Sequence, residues 1–139
     1  MNNSVSHCSS KIDFYLERYC DGKGDDAFHG LLELDKSCLP DVAKAFRSIT
    51  DSSIRALLLE VIWQHREPTY ISLLAEALFD DAQEVWQESM DGLVTLACSE
   101  SLEALQQARE RSFDDECSQR NFHKWLDEAI SQTEVPMHS

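Results

Sequence analysis

Glycine and proline are scarce: four and three in 139 residues leave little material for the tight turns of a many-stranded sheet. No apolar stretch of about 18 uncharged residues occurs, so no membrane span is expected. Met1-Asn2-Asn3-Ser4 carries neither a basic cluster nor an apolar run, and no secretory signal is expected from it. Five cysteines, Cys8, Cys20, Cys38, Cys98 and Cys117, are odd in number, scattered and without a C-x-x-C pair. That pattern reads as reduced thiols in a cytoplasmic protein rather than as a disulfide framework.

Chemical motifs are missing as well. There is no H-E-x-x-H, no G-x-x-x-x-G-K phosphate loop and no G-x-S-x-G nucleophile turn. His7, His29, His65, His123 and His138 are dispersed, and none stands four residues from a second histidine or cysteine on one helix. The expectation is a protein with no catalytic residues, no metal and no cofactor. His65 continues an apolar stripe and is expected to be a hydrogen-bonded core histidine. Trp63, Trp86 and Trp125 recur on apolar faces and are expected in the core rather than as a stacking platform.

The scarcest feature is positive charge, with 12 Lys and Arg against 26 Asp and Glu and a net charge of -14. The imbalance is uneven: residues 1–69 carry a net of -3 and residues 70–139 a net of -11. Between Arg66 and Arg109 there are nine acids and no Lys, Arg or His. Such a field repels phosphate backbones and attracts cationic surfaces, so nucleic acid is excluded as a partner and a basic protein is favoured.

What is present is helical periodicity. Ile12, Tyr15, Leu16 and Tyr19 follow i, i+3, i+4, i+7 spacing after Ser9-Ser10 as caps. Asp21 to Asp26 form a turn, with Asp26 as the cap of a short helix carrying Phe28, Leu31 and Leu32. Pro40 fits the first turn of a third helix and Thr50 or Asp51 the cap of a fourth, with Ile54, Leu57, Leu58, Val61 and Ile62 on its inner stripe. Pro68 opens a fifth, and a sixth runs from Asp81 to about Ala97. Leu102, Leu105 and Ala108 mark a seventh, and Phe122, Trp125, Leu126, Ala129 and Ile130 an eighth. The class is all-α, with about eight helices.

The chain also repeats itself. Phe79-Asp80-Asp81 returns as Phe113-Asp114-Asp115, and a shift of 31 residues lays Ile54 on Val85, Leu58 on Ser89 and Ile62 on Leu93. "PTYISLLAEALFDDAQEVWQESMDGLVTLA" and "SLEALQQARERSFDDECSQRNFHKWLDEAI" both place an aspartate pair in the turn between two helices. On these features the segment from about Leu39 to Thr133 resembles HEAT repeats. Arg55 matches the arginine that many such repeats carry after the turn, whereas Trp86 replaces it in the next unit. The resemblance implies a short right-handed α-solenoid of stacked antiparallel helix pairs. Residues 1–38 would then be an N-terminal helical cap, 39–133 the repeats and 134–139 a flexible tail.

On the sixth helix Glu84, Glu88 and Asp91 share the side opposite Val85, Trp86 and Leu93. Like charges at such spacing repel, and no base offsets them. In HEAT solenoids the second helices of successive units line the concave face. The resemblance therefore sets Glu60 beside Asp91, with Asp127 and Glu128 flanking the patch. A small acidic protein with such a face suits an immunity (antitoxin) protein that neutralises a basic toxin such as a nuclease. The alternative is a HEAT-type adaptor, assembly factor or lyase-chaperone subunit.

Overall fold

With so few breakers in the sequence, the apolar stripes wind into helices joined by short turns. The structure is a computed structural model that describes residues 3–138, with side-chain surroundings for residues 7–134. Among the described residues there are eight α-helices and no strand. They are α1 (Asn3–Cys20), α2 (Gly24–Leu32), α3 (Leu39–Ser48), α4 (Ser52–Gln64), α5 (Ile71–Ala77), α6 (Gln83–Leu96), α7 (Ser99–Gln107) and α8 (Glu116–His138). Single 3-10 turns at Lys36–Cys38 and Pro68–Tyr70 lead into α3 and α5, and Ala108–Glu110 closes α7. The all-α expectation holds. No helix among the described residues is long and apolar enough to cross a membrane. The chain divides into two compact units, residues 1–66 and 67–139.

In the first unit α1 packs on α2 and α3, while α4 packs on α2 and α3. Gly22, at φ 85°, stops α1: the Lys23 amide returns to the Arg18 carbonyl (3.0 Å) and the Gly22 amide to Tyr19 (3.2 Å). A left-handed residue there satisfies carbonyls that the helix leaves open. Ser9 and Ser10 are not caps, because the helix already runs from Asn3. Asp26 is not a cap either: α2 begins two residues earlier, and its carboxylate pairs with Arg18 at 3.0 Å. Asp51 does cap α4, accepting from the Ser53 and Ile54 amides. Hydrogen bonds led by the Ser53 side chain hold that carboxyl below its usual pKa.

Burial follows the predicted stripes, with Leu31, Leu58, Val61 and Ile62 fully enclosed and Ile12, Val42 and Phe46 nearly so. At the crossing of α1 and α2 the Tyr15 ring lies against Gly30, where a methyl group would overlap it. Arg55 donates its Nε–H to the Phe46 carbonyl (3.2 Å) and covers the Phe46 ring at 4.4 Å. His65 departs from expectation: it is only partly buried, and its Nε2 meets no hydrogen-bond partner.

The cysteines also depart. Cys8 and Cys38 form a disulfide, Cα–Cα 5.5 Å apart, tying α1 to the turn before α3. Thirty positions separate them in the chain, so no spacing motif announces the pair. Cys20, Cys98 and Cys117 are free thiols.

In the second unit α5 and α6 form one helix pair and α7 and α8 another, with α5 against α7 and α6 against α8. Leu74, Leu78, Val85, Leu93, Leu105, Phe122 and Leu126 are fully enclosed. Ser89, at the position the repeat gives to leucine, is buried and donates its hydroxyl to the Leu74 carbonyl, joining α6 to α5. Ala97 ends α6 in the left-handed region at φ 47°. A side chain costs about 1 kcal/mol or more in that conformation, while glycine adopts it freely. Ala97→Gly is therefore expected to raise stability by about 1 kcal/mol, read as a higher urea midpoint at unchanged slope. An unchanged or lower midpoint would mean that α6 ends differently in solution.

Candidate protein-binding site

The acid stripe is carried by α6, and its placement starts in the turn before that helix. The Asp80 carboxylate accepts from the Ala82 amide at 3.0 Å, closing a side-chain turn one residue ahead of the helix. Asp81 is exposed and caps nothing, because Ala82 occupies the cap position. The second aspartate pair differs. Asp115 is a true cap of α8, accepting from the Ser118 amide (2.8 Å) and hydroxyl, which lowers its carboxyl pKa.

From that start α6 turns Val85, Trp86, Ser89, Met90 and Leu93 inward. Glu84 and Asp91 are exposed and Glu88 is partly buried, on the outward side that their spacing predicts. On α8, Phe122, Leu126, Ala129, Ile130 and Thr133 are buried, while Asp127 and Glu128 are exposed. Glu60 is partly buried on α4, in the first unit.

Helices α6 and α8 run the same way. Trp86 meets Phe122 edge to face at 4.9 Å, and further along both helices Met90, Asp91 and Val94 share a cleft with Trp125, Ala129 and Gln132. That cleft measures about 210 Å³, and Glu128 completes its wall. It brings two of the predicted acids, Asp91 and Glu128, onto one concavity; Glu84, Glu88 and Asp127 lie outside it. Partial enclosure raises the Asp91 pKa by desolvation, even though solvent still reaches the side chain. Glu128 accepts from Gln132 Nε2 at 3.3 Å.

The third wall corrects an expectation. Trp63 and Trp86 are buried, but Trp125 is 45% exposed. Its side chain lines both the cleft just described and a smaller one of about 150 Å³ that it shares with Asn121, Lys124 and Glu128. A larger cleft, about 350 Å³, lies between α5 and α7 with Glu100 and Glu103 among its lining residues, but it has no tryptophan.

Sequence reasoning also missed Arg111, which fastens the turn before α8. Its guanidinium donates to the Leu78 carbonyl (2.6 Å) and lies over the Phe113 and Phe122 rings at 4.2 and 5.0 Å. Burial lowers its pKa, opposed by attraction to Asp81 and Asp80. The Arg111 carbonyl in turn lies 2.7 Å from His123 Nε2, which gives that histidine a structural position. Among the described residues no three His, Cys, Asp or Glu side chains gather as metal ligands would.

No family model matches the chain, and no match was found among curated proteins or solved structures.

Proposed function

We propose that the chain is a protein-binding inhibitor of the immunity type, which neutralises a basic toxin such as a nuclease by covering its cationic face. The observation that supports this reading is the acidic outer side of α6, with Glu84, Glu88 and Asp91 and no base, joined on α8 by the exposed Asp127 and Glu128. A nuclease must hold polyanionic substrate, so its active face is positive, and an acidic protein surface meets it quickly. The same charge argues against nucleic acid as a ligand. The scaffold we propose is the HEAT-like solenoid implied by the repeat. The two stacked helix pairs of the second unit, with α6 and α8 parallel, are in keeping with it.

No residue has a catalytic role in this reading. The compartment expected from the sequence is the cytoplasm, where cellular reductants would hold Cys8 and Cys38 open. The acids of α6 and α8 belong to the other unit, so the reading does not require that pair to be closed.

The test is coexpression with the product of the adjoining gene, which this reading expects to be a basic toxin. The parent chain should bind that product and restore growth, with an association rate that falls steeply as salt rises. Changing Glu84, Glu88 and Asp91 together to lysine should abolish binding while the helix stays folded, because none of the three packs in the core. A parent chain that neither binds a basic toxin nor protects the cell overturns the reading. Full binding by the triple-lysine protein removes the α6 stripe from it.

A further inference from the structure

If the partner is a basic protein, the cleft between α6 and α8 narrows what reaches into it. Trp125 stands 45% exposed in a chain whose other tryptophans are 9% exposed or less. Exposed indole forfeits hydrophobic stabilisation that burial would supply, and a half-open tryptophan in a concavity is a typical anchor for a partner. The carboxylates of Asp91 and Glu128 line the same cleft beside it. Asp91 has lost part of its hydration there, so an incoming cation would gain more from it than from a fully hydrated acid. The residues lining that cleft include two acids and no base, while Lys124 lines the smaller neighbouring cleft.

We propose that this cleft seats one arginine side chain of the basic partner, its guanidinium stacked on Trp125 and hydrogen-bonded by Asp91 and Glu128. The proposal rests on the basic-partner reading and adds the identity of the docking group. Charge complementarity selects a cation. An exposed indole lining one cleft with two carboxylates favours a planar guanidinium over a compact, strongly hydrated ammonium. At about 210 Å³ the cleft falls below the roughly 300 Å³ at which small-molecule sites begin, which suits a single side chain.

The experiment is a titration of the isotope-labelled full chain with an acetylated, amidated tri-arginine peptide at low salt, followed by nuclear magnetic resonance. Tri-lysine and tri-citrulline peptides serve as comparisons. Tri-arginine should saturably shift the Trp125 indole N–H and the amides of Asp91 and Gln132. Tri-citrulline, planar but uncharged, should shift none of them, and tri-lysine should bind more weakly. Trp125→Ala should weaken tri-arginine binding by about three- to thirtyfold, the range of a cation–π contact, and Trp125→Phe by less. Asp91→Asn and Glu128→Gln should each weaken it several-fold. Trp125 is exposed, so Trp125→Ala should fold, and its amide spectrum verifies this directly. Equal binding by a folded Trp125→Ala protein, or by tri-lysine, overturns the arginine seat. If that binding is nevertheless lost in the triple-lysine protein, the acidic partner surface stands without the seat. A parent chain that answers neither the peptide nor a basic toxin overturns both.

Discussion

Replacing Phe122 by alanine is expected to remove about 3 to 5 kcal/mol from the stability of the second unit, the range for deleting a large buried aromatic ring. Phe122 is fully enclosed. Trp86 meets it edge to face at 4.9 Å, Phe113 tilts against it at 5.3 Å and His123 at 5.3 Å. Such ring pairs contribute about 0.5 to 1.5 kcal/mol beyond the area they bury. Phe122 also forms part of the floor on which the Arg111 guanidinium rests. Removing the ring would let water reach a cation that otherwise relies on Phe113, the Leu78 carbonyl and the nearby aspartates. Phe122→Leu keeps most of the volume and should lose clearly less. Urea unfolding followed by tryptophan fluorescence measures both. A loss under about 1 kcal/mol for the alanine protein would show that α6 and α8 do not close on this residue.

The second large effect belongs to the first unit. Changing Cys8 and Cys38 together to serine should cost about 3 to 4 kcal/mol, the loop-entropy value for a cross-link spanning 30 positions. The stabilisation arises mainly because the cross-link restricts the unfolded chain, so it should appear equally when the parent is unfolded in reducing buffer. Alkylation under non-reducing denaturation supplies a separate readout. The parent should take up label at Cys20, Cys98 and Cys117 alone. Five labelled cysteines, with no difference in stability between parent and double serine protein, would show the two thiols unjoined in solution.

The helices were legible in the sequence because their inner faces repeat at helical spacing, and burial of Val61, Leu74, Leu93 and Leu126 follows that spacing. Helix starts were less so. A cap depends on where the backbone first turns helical, and that point differs between two identical aspartate pairs: Asp115 caps α8, whereas Asp80 closes a turn ahead of α6 and Asp81 caps nothing. Trp125 was misplaced by a narrow angular margin. At about 100° per residue it lies about 60° to one side of Phe122, while Leu126, Ala129, Ile130 and Thr133 fall towards the other side or near the centre. The buried arc of α8 ends before it reaches the ring. Arg111 and the Cys8–Cys38 pair depend on which segments meet in three dimensions, and one-dimensional periodicity does not encode that. The acids projected outward as expected, but only Asp91 and Glu128 were brought onto one cleft, which depends on how α6 and α8 align.

The contact between Tyr15 and Gly30 has a bearing on ancestry. Because a methyl group at Gly30 would occupy the space of the Tyr15 ring, the two positions amount to a single choice. A descendant of the same ancestor that keeps this helix crossing can vary freely at exposed Lys23 or Asp25. It cannot place a larger residue at the glycine without shrinking or expelling the ring. Coupled substitution at these two sites would therefore trace kinship after most of the surface has diverged.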